Sequence, residues 1–591
     1  MVKRIRTALS GMSAWSWLPT LCFAVLPALI VRNKWVVVAA DATEWWGDYI
    51  FGDIRTWWKA AIAIGIAVWM LCMAVCRIGS GWRAKQKQFC LLLSGAACAI
   101  LAATWLSPFP YTRWIGYTGL FEGAFLFLSY LVAIWYVGET EDANKRLLVV
   151  RAVIVVAAVN IVLGILAGIH QDFWQTDLGA WVMGLPKSMI RYNFANTNMA
   201  SGTAYQPNHY GMLMAMIGAL SMGMIFAEKK HLWRNIWIGI YVFSIISLLF
   251  SRSRAGTMVL VALTVVVVAV KLCEWRKLDV SRIRPPKPGL KKLATIAFAI
   301  LLITVLFAFL GFGEAGKVFL QRSTQLFTKM PLNSEIADVA LADNVISVKT
   351  RTGTVNIGKL SATSWYAAPE NARRSILQFT QQNDWRVAQL PGVNKTTLSI
   401  NQRGNAVLRG PDTNMEFFAL GTELFAVDQT KTNLRLRTDI PFSTYEPTGY
   451  EGFLSARGYI WARSLEKWRE RPWFGWGPGS LPLVFPNQEL LNKKRYSWGA
   501  DEDKGHSILI TFLVQTGVIG TILYFLPFGY ALYALARSRA LLRLPLLLAM
   551  SAYILCGLTN DSTTGVTPLF CVFVGLAVAE AKDKTAEPQP K

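Results

Sequence analysis

Apolar runs of about 20 residues recur near 14–31, 57–76, 89–106, 119–137, 149–169, 209–227, 233–250, 256–271, 293–312, 515–535, 544–558 and 566–580. Each is close to the length that crosses about 30 Å of hydrocarbon as a helix. They predict an all-α polytopic membrane protein with about twelve transmembrane helices. Between 336 and 440 the pattern changes to short alternating stretches, NVISVKT, GTVNIG, TTLSIN, NAVLR, EFFAL, ELFAV and NLRLRT, separated by Gly, Asn and Asp turns. Period-two alternation with such punctuation predicts an inserted β-rich domain. A third pattern follows: Arg457, Trp461, Leu465 and Trp468 recur at helical spacing, which predicts an amphipathic helix from Ser455 to Glu470, lying along the membrane interface until Pro472 ends it.

Charge between the runs sets their direction. MVKRIR precedes the first run with no cleavage pattern after it, so the run reads as a retained anchor with a cytoplasmic N-terminus. RIGSGWRAKQK (77–87), EKKHLWR (228–234), RKLDVSRIRPPKPGLKK (276–292) and RSRALLR (537–543) are basic and fall on one side, as the positive-inside bias requires. An even number of spans places both termini inside. It leaves outside 32–56, 107–118, 170–208, the turn Ser251–Ala255, 313–514 and the TNDSTTG turn at 559–565. The expected organisation is an N-terminal membrane domain of about nine spans (1–312), a connector (313–335), the extracytoplasmic β insertion (336–440) and an extracytoplasmic catalytic loop with the amphipathic helix (441–514). C-terminal spans (515–580) and a cytoplasmic tail (581–591) complete it.

Composition refines this only in places. The chain has 591 residues, 53% of them hydrophobic and 16% charged, with a net charge of +24. Because the surplus sits largely in short loops on one side, it follows from membrane topology, and nucleic acid is not an expected partner. The eight cysteines lie in or beside apolar segments, so neither a disulfide framework nor a zinc cluster is expected. Trp365, Tyr366 and Trp385 in the β region read either as stacking platforms for sugars or as core.

Candidate chemistry concentrates on the outer side. In RYNFANTNMASGTAYQPNHYG, Arg191, Asn208 and His209 stand at the interface, although Pro207 and its neighbours also suit an ordinary helix start. FSRSRAG places Arg252 and Arg254 where the positive-inside bias disfavours them. Two residues apart, they do not share a helix face, so at most one is expected to point inward while the other snorkels. Arg457 lies on the apolar side of the amphipathic helix, facing either an anion or the interface. PWFGWGPGS supplies Gly475, Gly477 and Gly479, which allow close approach to a ligand or form a tight aromatic turn, and it lacks the lysine and hydroxyl of a phosphate loop. His506 opens an apolar helical run, where the helix dipole favours the neutral imidazole while Asp501, Glu502 and Asp503 push the other way. No HExxH or other metal-ligand spacing occurs.

QPNHYG, SRAGTMVLV, ARGYIW with PWFGWGPG downstream, and GHSILITFLVQTGVIG together resemble the O-antigen ligase and O-antigen polymerase superfamily, in order and with the long outer loop before the last spans. The resemblance covers about 190–260 and 450–580, and more loosely the first spans, including TGLFEG at 118–123. It implies metal-independent, cofactor-free glycosyl transfer at the outer leaflet of a bacterial inner membrane, from a polyprenyl-pyrophosphate-linked glycan donor. Carried over by position, it gives catalytic roles to Arg254, Arg457 and His506: the arginines neutralise the pyrophosphate leaving group, and the histidine orients or deprotonates the acceptor hydroxyl. Arg252, Arg191, Asn208, His209 and Gly477 are expected on the substrate. The chain departs from the family pattern at Ser507, where an amide is usual, at Gln515, where a glutamate is frequent, and in the β insertion. An added outer domain suits holding a growing chain, so the expected activity is that of a polysaccharide polymerase. A ligase using a lipid A core or a protein as acceptor is the alternative. Twelve spans also suit a transporter or flippase of an anionic lipid-linked substrate, but ionisable residues near the midplane are almost missing.

Overall fold

The computed structural model describes residues 16–37, 41, 50–53, 56–79, 86–139, 142–186, 199–277, 335–361, 364–370, 372–411, 413–429, 434–496 and 501–582. Within them, seven helices are long and apolar enough to cross a membrane. These are α2 (Trp57–Gly79), α3 (Lys87–Trp105), α5 (Ala143–Gly168), α6 (Pro207–Ala227), α7 (His231–Ser251), α8 (Arg254–Lys277) and α11 (Ile508–Arg537). Shorter apolar helices are α1 (Leu18–Val25), α4 (Ala124–Gly138), α12 (Arg543–Gly557) and α13 (Thr567–Ala581). Every expected span but one therefore coincides with an apolar helix; the run at 293–312 lies outside the described residues, as does Arg191. The protein is a polytopic membrane protein with an inserted β domain.

α6 is the centre of the bundle. Its sequence, PNHYGMLMAMIGALSMGMIFA, is apolar all round, with small and unbranched residues, so it has no polar face to turn outward and is buried among α7, α8 and α12. The crossing with α8 is close because Gly211 and Gly256 face one another: a Cβ on Gly256 would lie 2.5 Å from the Gly211 carbonyl oxygen. That approach holds the starts of both helices, and hence His209 and Arg254, at the same rim.

The two rims differ in chemistry. At one, Arg146 of α5 meets Glu580 of α13 at 2.8 Å, both buried, and Arg151 binds Glu228 at 2.8 Å. At the other, Ser107 donates to the Trp476 carbonyl at 2.7 Å, Ser562 donates to Glu122, and Gly505 and Asn560 make the hydrogen bonds described below. Lys59, in the first turn of α2, is fully buried there, donating to the carbonyls of Thr203 (2.8 Å) and Pro27 (3.3 Å). It is an ionisable group that the hydropathy of the span conceals.

α11 is two helices joined at Gly517, whose φ of 64° and ψ of −173° break the α geometry. A Cβ there would lie 2.3 Å from the Trp473 carbonyl, so only glycine allows the PWFGWGPG turn to lean into the kink. The turn in turn satisfies the backbone that the kink releases, through Trp476 N to Val514 O (2.9 Å), Gly477 N to Gln515 O (2.8 Å) and Val518 N to Pro472 O (2.8 Å).

The β domain has two antiparallel meanders. One runs β1 (Ile336–Ala342), β2 (Val345–Thr350), β3 (Gly353–Lys359), β4 (Trp365–Pro369) and β5 (Ser375–Ile376). The other runs β6 (Thr380–Gln382), β7 (Trp385–Gln389), β8 (Thr397–Asn401), β9 (Ala406–Gly410), β10 (Thr413–Leu420), β11 (Glu423–Gln429) and β12 (Leu434–Arg437). Their inward residues, among them Ile346, Ile357, Trp365, Leu398, Leu408 and Phe417, form one core. Trp365 and Tyr366 are buried, so of their two readings the structure gives core; Trp385 is half-buried beneath the Arg409 guanidinium, 4.2 Å away. Leu490 and Leu491, from the short helix α10 (Leu490–Tyr496), complete the core from later in the chain.

A methyl group at the α6–α8 crossing separates packing from helix propensity. Gly256→Ala is expected to destabilise the protein by about 1–3 kcal/mol through overpacking, read as a lower melting temperature in detergent. Gly239→Ala, mid-helix with nothing within 4 Å of its would-be Cβ, is expected to leave stability unchanged or raise it by about 0.5–1 kcal/mol.

Candidate active site

The amphipathic helix forms as the periodicity requires, as α9 (Phe453–Glu470). Trp461 donates from Nε1 to the Gly505 carbonyl at 2.9 Å, which pins the residue next to His506. Arg457, one turn earlier on the same face, is thereby carried toward the same place. Its Nη1 donates to the Leu454 carbonyl at 2.9 Å, while its buried Nε has no hydrogen-bond acceptor among the described residues. Burial lowers the Arg457 pKa from its ordinary value; Asp561 and Glu502 oppose that, and the like charge of Arg254 adds to it. Arg254 and Arg457, 203 positions apart, thus share one electrostatic site.

His506 is held from two sides. Its Nδ1 lies 3.3 Å from Asp561 Oδ2 and its Nε2 lies 3.6 Å from Glu502 Oε2, with a third of the side chain accessible. Its backbone is left-handed, φ 48°, a conformation that non-glycine residues adopt rarely and that the surroundings must enforce. Those surroundings are visible. Gly505 N donates to Thr511 Oγ1 (3.3 Å), Thr511 donates to Asp561 Oδ1 (3.1 Å), and Ile508 N donates to the Asn560 carbonyl (2.9 Å). The Asn487 side chain receives Glu502 N (2.8 Å) and donates to Glu502 O (3.1 Å).

The electrostatic balance at His506 goes to the acids. Burial by itself lowers the imidazole pKa, but the hydrogen bonds and charges of Asp561 and Glu502 outweigh it and raise the pKa from 6.5 to about 9. Asp561 shows the reciprocal effect: burial pushes its carboxyl up, the bond from His506 pulls it down, and the net shift is downward. At neutral pH the balance therefore favours the imidazolium, against the helix dipole at the start of α11.

Asp561 and Glu122 carry no signal at the level of local motifs. Asp561 is the one acid in TNDSTTG, between α12 and α13, and it is the acid among polar turn residues that marks it in retrospect. Glu122 of TGLFEG is buried, accepts from Ser562 Oγ at 2.6 Å, and keeps Oε1 without a partner among the described residues.

The other expected residues divide. His209 is buried at the start of α6, its N–H capped by Gln206 Oε1 at 2.7 Å, and its charge bears on Asp561. Asn208 stands beside it, half-buried. Arg252 is exposed in the left-handed cap of α7, while Arg254 is half-buried at the start of α8. Gly477 belongs to the aromatic turn, where a Cβ would lie 2.3 Å from Ser107, so its tightness is explained by packing. Gln515 is buried at the kink of α11. Among the described residues no group of His, Cys, Asp and Glu side chains is arranged to hold a metal ion.

Residues 416–525 match a protein-family model described as O-Antigen ligase. The matched span opens in β10, takes in α9, the aromatic turn and His506, and closes in α11. No curated protein and no solved structure matches the chain. With eleven apolar helices among the described residues, the chain is a polytopic membrane protein in which the 416–525 segment is similar to the O-antigen ligase family.

Proposed function

We propose that the rim carrying Arg254, Arg457, His506 and Asp561 is the active site of a metal-independent membrane glycosyltransferase. It faces the outer leaflet of a bacterial inner membrane, on a frame of about twelve spans with both termini inside. The donor is a glycan on a polyprenyl pyrophosphate and the acceptor is a sugar hydroxyl. The observation that supports this reading is that Arg457, inside the O-antigen ligase match, is coupled to Arg254 and to Asp561 and Glu502, the two carboxylates that flank His506.

The chemistry follows from the groups. The acceptor oxygen attacks the anomeric carbon, the bond from that carbon to the pyrophosphate breaks, and the electron pair leaves with the phosphate. Arg457 and Arg254 stabilise the charge that develops, and the Arg457 Nε–H, which has no acceptor among the described residues, is a donor already in place for it. The proton of the acceptor hydroxyl passes to His506, which Asp561 holds in orientation and stabilises once charged. Since the unliganded imidazole is protonated below about pH 9, the base form is a minority at neutrality. Polymerase is the preferred reading, with the β domain beside the site to hold a growing chain. A ligase, delivering to a lipid A core or a protein, uses the same donor chemistry.

Reconstitution in liposomes with a polyprenyl-pyrophosphate oligosaccharide alone is expected to give a ladder of longer lipid-linked glycans. Consumption of donor only after a lipid A core or acceptor protein is added means ligase. His506→Ala is expected to lower turnover by about 10²–10⁴-fold and Arg457→Ala by about 10²–10³-fold, with normal membrane insertion. Full activity in either variant overturns the assignment.

The pH profile tests the role of the carboxylates. The wild-type rate is expected to rise with pH with a midpoint near 9, the value to which Asp561 and Glu502 raise His506, and to level off above it. Asp561→Asn removes one of those charges, so the rising limb is expected at lower pH, nearer the unperturbed 6.5, with a lower plateau because the ring loses its orienting partner. A rising limb that does not move assigns it to another group.

A further inference from the structure

The β insertion is joined to the His506 segment by a buried charge cluster that the proposed mechanism does not use. Lys493, on α10, is 3% exposed and bridges two carboxylates. One is Asp428 of β11, 1% exposed, at 2.6 Å; the other is Asp501. Asp428 also accepts from Arg437 of β12 at 2.7 Å, so two cations and two anions balance within the cluster.

α10 belongs physically to the β domain. Leu490 and Leu491 sit in its core, Arg495 donates to the carbonyls of Ile336 (2.7 Å) and Ala337 (3.2 Å), and Lys494 donates to Asn414 O at 2.7 Å. Asp501 is the residue before Glu502, the carboxylate on His506 Nε2. The chain thus leaves the β domain at α10 and returns to the cluster at Asp501. It reaches His506 five residues later.

A buried ion pair costs desolvation, and its best-attested use is to fix one arrangement among several. Here the arrangement fixed is that of the 501–506 segment. We infer that Lys493 is a positioning residue and that the β domain, through the Asp428–Lys493–Asp501 bridge, is the support that holds Glu502 and His506 in place. The inference rests on the proposed function only for calling His506 catalytic; the mechanical link stands apart from it.

The test uses the full chain in detergent, with two readouts that need no substrate. These are hydrogen–deuterium exchange of peptides covering 501–511, and the pH dependence of His506 carbethoxylation located by mass spectrometry. In Asp428→Asn, exchange across 501–506 is expected to rise by about tenfold or more, the change that follows loss of one hydrogen bond to a charged group. The His506 midpoint is expected to fall from about 9 toward 6.5, while exchange in β2 and β3 stays as in the wild type. Lys493→Met is expected to behave likewise and Lys493→Arg to restore protection. Should Lys493→Met unfold the β domain, Asp428→Asn decides, because it keeps the volume and the Leu490 and Leu491 anchors. Unchanged exchange and midpoint in Asp428→Asn overturn the inference. Wild-type glycan transfer with an unaffected Asp428→Asn sinks the link alone; a changed Asp428→Asn in a protein that transfers no glycan sinks the glycosyltransferase reading alone.

Discussion

An imidazole between two carboxylates is the contact on which the outer rim depends. Asp561 reaches His506 from the turn between α12 and α13, and Glu502 reaches it from the segment that leaves the β domain. Neither side chain is positioned by its own neighbours in sequence alone. Asp561 is fixed by Thr511 and by the Asn560 carbonyl that receives Ile508 N, and Glu502 by the two bonds to Asn487. A left-handed backbone at His506 is affordable because so many partners determine it.

The membrane bundle serves this contact by bringing helix ends together. The Gly211–Gly256 approach sets the starts of α6 and α8 side by side, and with them His209 and Arg254. The kink at Gly517 lets the aromatic turn after α9 pack into α11, and Trp461 ties α9 to Gly505. Arg457 then arrives beside Arg254 despite their like charge, and Asp561 offsets the repulsion. Two half-buried arginines coupled to one another, one with an Nε donor unfilled among the described residues, constitute a site whose electrostatics favour an anion.

Placement of the β domain is also more than decoration. Sharing α10 with the segment that continues to His506 makes the insertion a structural part of the rim, and the match to the O-antigen ligase domain opens within β10. The charge bridge at Lys493 costs desolvation that a purely apolar joint would not, which points to a demand for one defined geometry.

The sequence by itself determined the elements. Hydropathy marked the helices because a membrane span must be apolar along its whole length, and alternation marked β2, β3 and β8 to β11 because one face of each is buried, whereas β12 alternates at the end of its sheet with Leu436 exposed. β5 and β6 escaped notice because Ser375, Ile376 and Thr380 to Gln382 are exposed and so carry no alternating signal. His506, Arg254 and Arg457 stood out because polar residues at the edges of apolar runs are conspicuous. Only the tertiary structure decided what they face. Asp561 is 55 positions from His506, Glu122 is 440 from Ser562, and Lys493 joins strands to a loop across 65. The charge state of His506 is the sum of such contacts, and no local pattern encodes a sum over partners that folding alone brings within a few ångströms.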